Sequence, residues 1–468
     1  MSDRNHYDLI IIGSGSGGFS TAIAARDGGL RKILLIEKRR VGYSLCTNEG
    51  CMPSKTLLAS SDVKRTIEES EDFGITSSPP KVDWATVQKR VRTIIEEDFF
   101  ASRREAIYKV TSGAAVDLVE GSASFVDSHT IQVGDTLFTG EKIVIATGSM
   151  VDVPPFPGLR ETGYIDSDKT LYLDELPGSL VVLGGGYIAV ELGYLFHKMG
   201  VSVTTIQRSD HILTAVDKDI GFELQALLRR DGMNIITGTS VKRIERVGEK
   251  KRVTVTLKVG GEKTVEAEEI MVATGRRATV NGLGLENAGV QLDERGAIPV
   301  NDYLQTNVPH IYAVGDVNGK MALVYVATME GKIAGAHAAG KRDQKMDYRL
   351  VGPIIFSHPE IGTLGLTEDE AKAEGLDVIT VKVPMGDIGK AVAIGETDGF
   401  VKLIASRPSG KMIGLHILGP HATDIMQVAL PHFYHNDTVF DVLNIPYPHP
   451  TLGEALSYAA DEIADELR

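Results

Sequence analysis

Two stretches of the chain are built alike. "YDLIIIGSGSGGFSTAIAARDGG" begins at Tyr7 and "GSLVVLGGGYIAVELGYLFHKMG" begins at Gly178. In each, an apolar run that reads as a buried strand leads into G-x-G-x-x-G/A and then into a helical segment. Each copy later reaches another apolar strand that closes on the same tripeptide, "IVIATGS" and "IMVATGR". A strand, glycine turn and helix used twice predict an α/β chain with two Rossmann-like dinucleotide-binding domains. The span from Gly13 to Ala146 is 133 positions and that from Gly184 to Ala273 is 89, so the first copy is 44 longer. The hexapeptide "CTNEGC" and the helical stretches after it lie inside the first copy and account for the excess.

Each glycine in the fingerprint has a physical task. The first permits the tight turn, the second lets backbone approach a pyrophosphate, and the third lets helix pack on strand. The helix N-terminus then offers unpaired N–H groups and positive partial charge to the phosphates. In the first copy these are Gly13, Gly15 and Gly18, and the strand "KILLIE" ends in Glu37, near the spacing expected of a carboxylate on a ribose. In the second they are Gly184, Gly186 and Ala189. Its second strand lacks the acid and ends in Gln207 and Arg208, a substitution that leans toward the 2′-phosphate of NADP over NAD. A third apolar strand, in "PHIYAVGDVNG", closes on Gly315 and Asp316. There the acid either holds a polyol hydroxyl or closes an Asx turn.

Cys46 and Cys51 are the only cysteines in 468 residues. Three readings compete for them: two buried thiols that happen to be close, half of a zinc site, or a redox-active disulfide. Zinc needs further ligands, and no second Cys pair or flanking His supplies them, so no metal site is expected. "MPSKTLLASS" follows Cys51 and reads as a helix with Pro53 in its first turn. Cys51 would stand at the positive end of that helix, where a thiolate is stabilised. Lys55 falls one turn later on the same side.

Composition narrows the partners. The net charge is −14, which disfavours nucleic acid and anionic membrane surfaces. The N-terminal apolar run is short and enters glycines with no cleavage site, unlike a signal peptide. No uninterrupted apolar run is long enough to span a membrane. A cytoplasmic location is expected, where a disulfide is more often catalytic or sensing than structural.

The motifs "GSGSGG", "CTNEGCMPSKTLL", "ATGS", "GGGYIAVELG", "ATGRR", "YAVGDV", "FSHPEIGTLGLTE" and "HPTLGE" resemble, nearly end to end, the FAD-dependent pyridine nucleotide–disulfide oxidoreductases. The wording is most similar to the dihydrolipoamide dehydrogenases of that family. The resemblance implies an FAD-binding domain over 1–150, an NAD(P)-binding domain over 151–272, a central domain over 273–345 that completes the FAD site, and an interface domain over 346–468 that forms a homodimer. It implies that Cys51 faces the flavin as the charge-transfer thiol and that Cys46 exchanges with the substrate disulfide. Lys55 would lie near the flavin and pair with Glu191. His449 and Glu454, in "YPHPTLGE", would act as base and orienting carboxylate from the partner subunit, with a cis His449–Pro450 bond. Gly121, Thr147, Gly148, Gly275 and Leu323 join the fingerprint residues as implied cofactor contacts.

The implied activity is a dithiol–disulfide oxidoreductase acting on a dihydrolipoamide-like substrate, small or carried on a lipoyl protein. The alternatives are an NADPH-dependent reductase of another disulfide and a redox-responsive flavoprotein of low turnover. Mercuric reductases usually carry a C-terminal cysteine pair; the ending "DEIADELR" has none, which argues against that activity. Two local departures stand out. "GYSLC" places Tyr43 and Leu45 where the family usually has Gly-Gly-Thr before the first cysteine. Glu49 puts a carboxylate inside the dithiol loop, where it is expected to raise both thiol pKa values and disfavour anionic disulfides.

Overall fold

The computed structural model describes residues 5–341 and 344–468, which form two compact units. Each is assembled from three separate stretches of chain: 1–57, 83–152 and 275–347 for the first, and 58–82, 153–274 and 348–468 for the second.

The first unit is built on a sheet of β1 (His6–Ile12), β2 (Ile33–Glu37), β3 (Val116–Glu120), β4 (Ala123–Phe125), β5 (Thr130–Val133) and β6 (Thr136–Ile145). Their order is β3-β2-β1-β6-β5-β4, and the strand Ile311–Ala313 adds to β6 in parallel. β1, β2, β3 and β6 run parallel. β2 is buried at every position, which is why it reads as an unbroken apolar run instead of an alternating one. Helix α1 (Ser16–Asp27) follows β1 and packs closely on helix Val324–Ala338. A Cβ at Gly331 would lie 2.2 Å from the Gly17 carbonyl oxygen, and one at Gly335 would lie 2.4 Å from that of Thr21. These two glycines, four apart on one helix face, let the backbones touch. Helix α2 (Cys51–Glu68) leads out of the long connection between β2 and β3.

The second unit repeats the arrangement. Strands β7 (Ile165–Asp166), β8 (Ser179–Leu183), β9 (Ser202–Ile206), β10 (Asn234–Ile236) and β11 (Glu269–Val272) are ordered β10-β9-β8-β11-β7, all parallel. Third, second, first and fourth strands therefore lie side by side in both units, so the duplication in the sequence is a duplication of topology. Helix α3 (Tyr187–Lys198) follows β8, and helix α4 (Lys218–Arg230) precedes β10. The unit also carries a five-stranded antiparallel sheet from residues 354–419, backed by helices Ala422–His435 and Ala455–Leu467. The last helix buries Ala455, Leu456, Ala459, Ala460, Ile463 and Ala464, the spacing of one helical face.

A charged knot lies inside this unit. Lys402 is fully buried, and its ammonium donates to both oxygens of Asp217 at 2.9 Å, to Asp219 at 2.8 Å and lies 2.8 Å from Glu368. It ties the start of α4 to the antiparallel sheet. Three carboxylates raise the lysine above its ordinary pKa against the effect of burial, and hydrogen bonds from Lys372 and Lys402 hold Glu368 down at about 2. No helix among the described residues is long and apolar enough to cross a membrane.

Candidate active site

The turn after β1 is shaped by what cannot fit in it. Gly13 has φ +104°, and a Cβ there would meet the Ala146 carbonyl oxygen at 2.4 Å. A Cβ at Gly18 would sit 1.9 Å from the Gly13 carbonyl oxygen. Gly15, by contrast, faces open space and starts α1 with no side-chain cap. The first amides of α1 thus keep their donors for an anion.

Glu37 closes the same pocket from the end of β2. Its buried carboxylate accepts from the Ser14 amide at 2.8 Å, the Ser14 hydroxyl at 2.7 Å and the Arg39 amide at 2.8 Å. Gly121 donates its amide to the Glu37 carbonyl, 2.8 Å away. Arg103, absent from the sequence reading, donates from Nη2 to the Ser14 carbonyl at 2.8 Å. Its Nε is buried without a partner among the described residues. Burial lowers the Arg103 pKa, against the pull of Cys46 and Glu37. An orphaned guanidinium N–H, uncapped helix amides and an open glycine suit the pyrophosphate and ribose of a dinucleotide.

The "ATGS" and "YAVGD" turns meet in this unit. Thr147 Oγ1 donates to the Thr279 carbonyl at 2.7 Å, and the Gly148 carbonyl accepts from the Thr279 amide at 2.9 Å. Asp316 takes a 2.6 Å hydrogen bond from Ser149, whose hydroxyl also accepts from Arg276 at 3.0 Å. Gly315 has φ +75° and donates its amide to Glu330 at 2.6 Å. Glu330 is fully buried and also accepts from Asn318 at 2.9 Å. Its hold on this turn escaped the sequence reading. Gly275 has φ +135° with open space at its Cβ position, and Leu323 stands at the N-cap of helix Val324–Ala338.

The two thiols come together. Ser44 caps a short turn, Leu45–Asn48, that carries Cys46, and Cys51 starts α2. The Cys46 thiol hydrogen-bonds to Cys51. That bond, then burial and the Cys51 charge, push the Cys46 pKa up, while the Cys51 amide and Lys55 pull it down. Glu49 lies in the loop between the two cysteines. Its carboxylate pairs with Arg39 at 2.9 Å, and Arg39 also lies over the Tyr43 ring at 4.5 Å from the centroid. A cation the sequence reading did not place thus stands beside the Glu49 charge. Tyr43, the bulky departure, packs under that same cation.

In the second unit, Gly184 has φ +120°, and its Cβ position lies 2.3 Å from the Ala273 carbonyl oxygen. Gly186 is open and begins α3 without a side-chain cap. Gln207 is buried against Gly185, and its Oε1 accepts from the Arg208 amide at 3.0 Å, whereas the Arg208 side chain is exposed. Of that pair only Arg208 faces outward. Glu191 Oε1 accepts from the Phe356 amide at 2.9 Å; Lys55 lies in the other unit.

His449 Nδ1 lies 3.0 Å from Glu454 Oε1. The His449–Pro450 bond is cis, and so is His358–Pro359, which was not anticipated. Glu454 Oε2 accepts from the Thr451 amide at 2.7 Å, and this bond, with that to His449, holds the carboxyl below its usual range. Glu454 is buried, while the His449 side chain is 70 % exposed. A buried carboxylate on Nδ1 fixes the tautomer and leaves Nε2 outward, ready to take a proton.

Residues 7–331 match the family described as pyridine nucleotide-disulphide oxidoreductase, and residues 351–460 match its dimerisation domain. The chain is 37 % identical over 455 residues to a mercuric reductase of Staphylococcus aureus, covering 97 % of this chain and 82 % of that one. It is also 37 % identical over 467 residues to a dihydrolipoyl dehydrogenase of Bacillus subtilis (strain 168), covering 97 % of each. Among solved structures, a Cu(II) complex of the HOCl-induced flavoprotein disulfide reductase RclA from Escherichia coli superposes with a TM-score of 0.85 at 28 % identity, over 98 % of this chain and 99 % of that one.

Proposed function

We propose, from the premise that this chain belongs to the pyridine nucleotide-disulphide oxidoreductase family, that it oxidises a dihydrolipoamide-like dithiol through Cys46 and Cys51. Members of the family use FAD and a nicotinamide nucleotide. The observation that carries the reading is that two free thiols, Cys46 on the turn Leu45–Asn48 and Cys51 at the start of α2, act on one another. Bound FAD would supply two-electron exchange with sulfur and hydride exchange with the nicotinamide.

The chain's own residues supply the rest. His449 takes the proton of one substrate thiol, and Glu454 stabilises the imidazolium. The substrate thiolate attacks Cys46 of the oxidised pair, and Cys51 leaves as a thiolate. The second substrate sulfur then displaces Cys46, which takes up a proton. The substrate ends as a disulfide and the enzyme as a Cys46 thiol and a Cys51 thiolate, with the first substrate proton on His449. Gly13, Gly15, Gly18, Glu37, Arg103 and Asp316 would hold FAD in this scheme. Gly184, Gly186 and Arg208 receive the nicotinamide nucleotide, with a lean to NADP because no acid ends β9.

The dimerisation domain supports a homodimer. Exposed Val428, Tyr434, Phe440, Ile445 and Tyr458 in that domain offer apolar surface for it. The shared site then draws its base from the second copy. Exposed Arg208 gives one specific reason for a second reading, an NADPH-dependent reductase of another disulfide, which runs the same steps backward.

The test is anaerobic reduction of FAD-loaded protein by dihydrolipoamide and by dithiothreitol, followed by absorbance. A long-wavelength thiolate–flavin band should appear and be lost in Cys51→Ser. Steady-state rates with both nucleotides then assign the substrate and nucleotide. Protein that cannot be reconstituted with flavin, or a Cys51→Ser variant indistinguishable from wild type, sinks the scheme.

A further inference from the structure

We propose that Tyr447 and His432 are positioning residues for His449, with Asp437 completing a carboxylate–imidazole–phenol relay that fixes the turn carrying the base. The inference rests on the reading of His449 as the proton acceptor.

The segment that carries His449 has few means of holding itself. "IPYPHPT" places proline at 446, 448 and 450, and each removes a backbone donor. The His449 side chain is mostly exposed, so packing does not fix it either. Side-chain anchors do the work from both directions. On the C-terminal side, Thr451 Oγ1 donates to the Pro448 carbonyl at 2.9 Å, while Glu454 binds both the Thr451 amide and His449 Nδ1. On the N-terminal side, the Tyr447 hydroxyl lies 3.3 Å from His432 Nε2.

His432 is itself held. It is buried on helix Ala422–His435, and its Nδ1 lies 2.7 Å from Asp437 Oδ2. With Nδ1–H donating to that carboxylate, Nε2 is the nitrogen left to meet the Tyr447 hydroxyl. A buried imidazole satisfied at both nitrogens is a stiff support. Two histidine–carboxylate pairs thus flank one turn, and only the outer one presents a bare nitrogen. A base displaced by about 1 Å can lose about 10²-fold in rate, so removing one of several anchors should cost less.

The test compares two activities of FAD-loaded protein. Dihydrolipoamide oxidation needs the thiols and His449; NAD(P)H:ferricyanide reduction bypasses both. Tyr447→Phe and His432→Ala should lower dihydrolipoamide kcat about 10-fold, leave its KM within about twofold, and leave ferricyanide reduction unchanged. His432→Gln, whose amide can still meet the Tyr447 hydroxyl, should restore most of the rate. Wild-type kcat in Tyr447→Phe, or parallel loss of both activities in every variant, overturns the proposal. His449→Gln separates the two claims. If it reacts with dithiols as wild type does, the reading of His449 falls; if it is impaired while Tyr447→Phe is not, only the relay falls.

Discussion

Replacing Lys402 by Met should destabilise the protein by about 3–5 kcal/mol at neutral pH, the cost of stripping one partner from a buried ion pair. The ammonium has no solvent exposure and serves three carboxylates, of which Asp217 is 2 % exposed. Methionine fills most of the volume, so the loss is electrostatic. Lys382, which pairs with Asp219 at 3.0 Å, and Lys372, which pairs with Glu368, soften the effect; Asp217 keeps no such reserve in this cluster. With about 2.1 cal/mol/K of unfolding entropy per residue, a chain unfolding as one would lose about 3–5 °C in Tm.

The pH dependence gives the sharper test. Glu368 is held at about 2, below its ordinary value, so its contribution is complete above the ordinary carboxylate pKa and disappears as pH falls through the folded value. Lys402 is raised, so its contribution is complete below the ordinary lysine pKa and is lost only as pH rises through the folded value. In Lys402→Met the crowded carboxylates take up protons more readily. The deficit measured by urea denaturation at a series of pH values should therefore be smaller at pH 5 than at pH 8. A loss below about 1 kcal/mol, typical of an exposed pair, or a deficit flat across that range, would refute the argument.

Three further outcomes are expected. Arg103→Met should weaken FAD retention, read as faster release of fluorescent flavin on dilution, because it removes a donor beside the Ser14 carbonyl; unchanged release argues against its place in the cradle. Arg208→Ala should lower kcat/KM for NADPH by about 10-fold while leaving NADH within about twofold, an outcome near that of one lost charge-assisted hydrogen bond; equal effects on both would count against a 2′-phosphate contact. Glu49→Val should unpair Arg39 from its partner and raise turnover with anionic disulfides several-fold relative to neutral ones, a change of the size expected of one surface charge pair; no shift in selectivity would show the pair to be inert.

What could be read in advance was what the chain writes locally. Glycines needed by a turn sit beside that turn, so both fingerprints, the repeated strand–turn–helix and the two thiols were visible in short windows. Glu37 was visible because an acid closing the second strand stands at a fixed distance from the glycine turn. Glu330, Arg103 and Lys402 were not. Each acts on a residue distant in sequence, and each looks by itself like an ordinary helical or strand charge. The Arg39–Glu49 pair was also missed, since ten positions without a helical period carry no signal. The antiparallel sheet of residues 354–419 was placed by resemblance alone, because its strands are covered by helices and bury charged Lys402 in place of a clean alternation.

Strand Ile311–Ala313 joins Ile143–Ile145 of β6 after a detour through the other unit. At a synthesis rate of about 5–20 residues per second, a ribosome needs roughly ten to thirty seconds to travel between them. Throughout that interval the emerging polypeptide displays an apolar seam awaiting its mate, a natural foothold for a chaperone. Chains stalled near residue 300 should bind trigger-type holdases and resist release, whereas chains stalled past residue 347 should let go; equal capture of both would mean the seam is shielded earlier by something else.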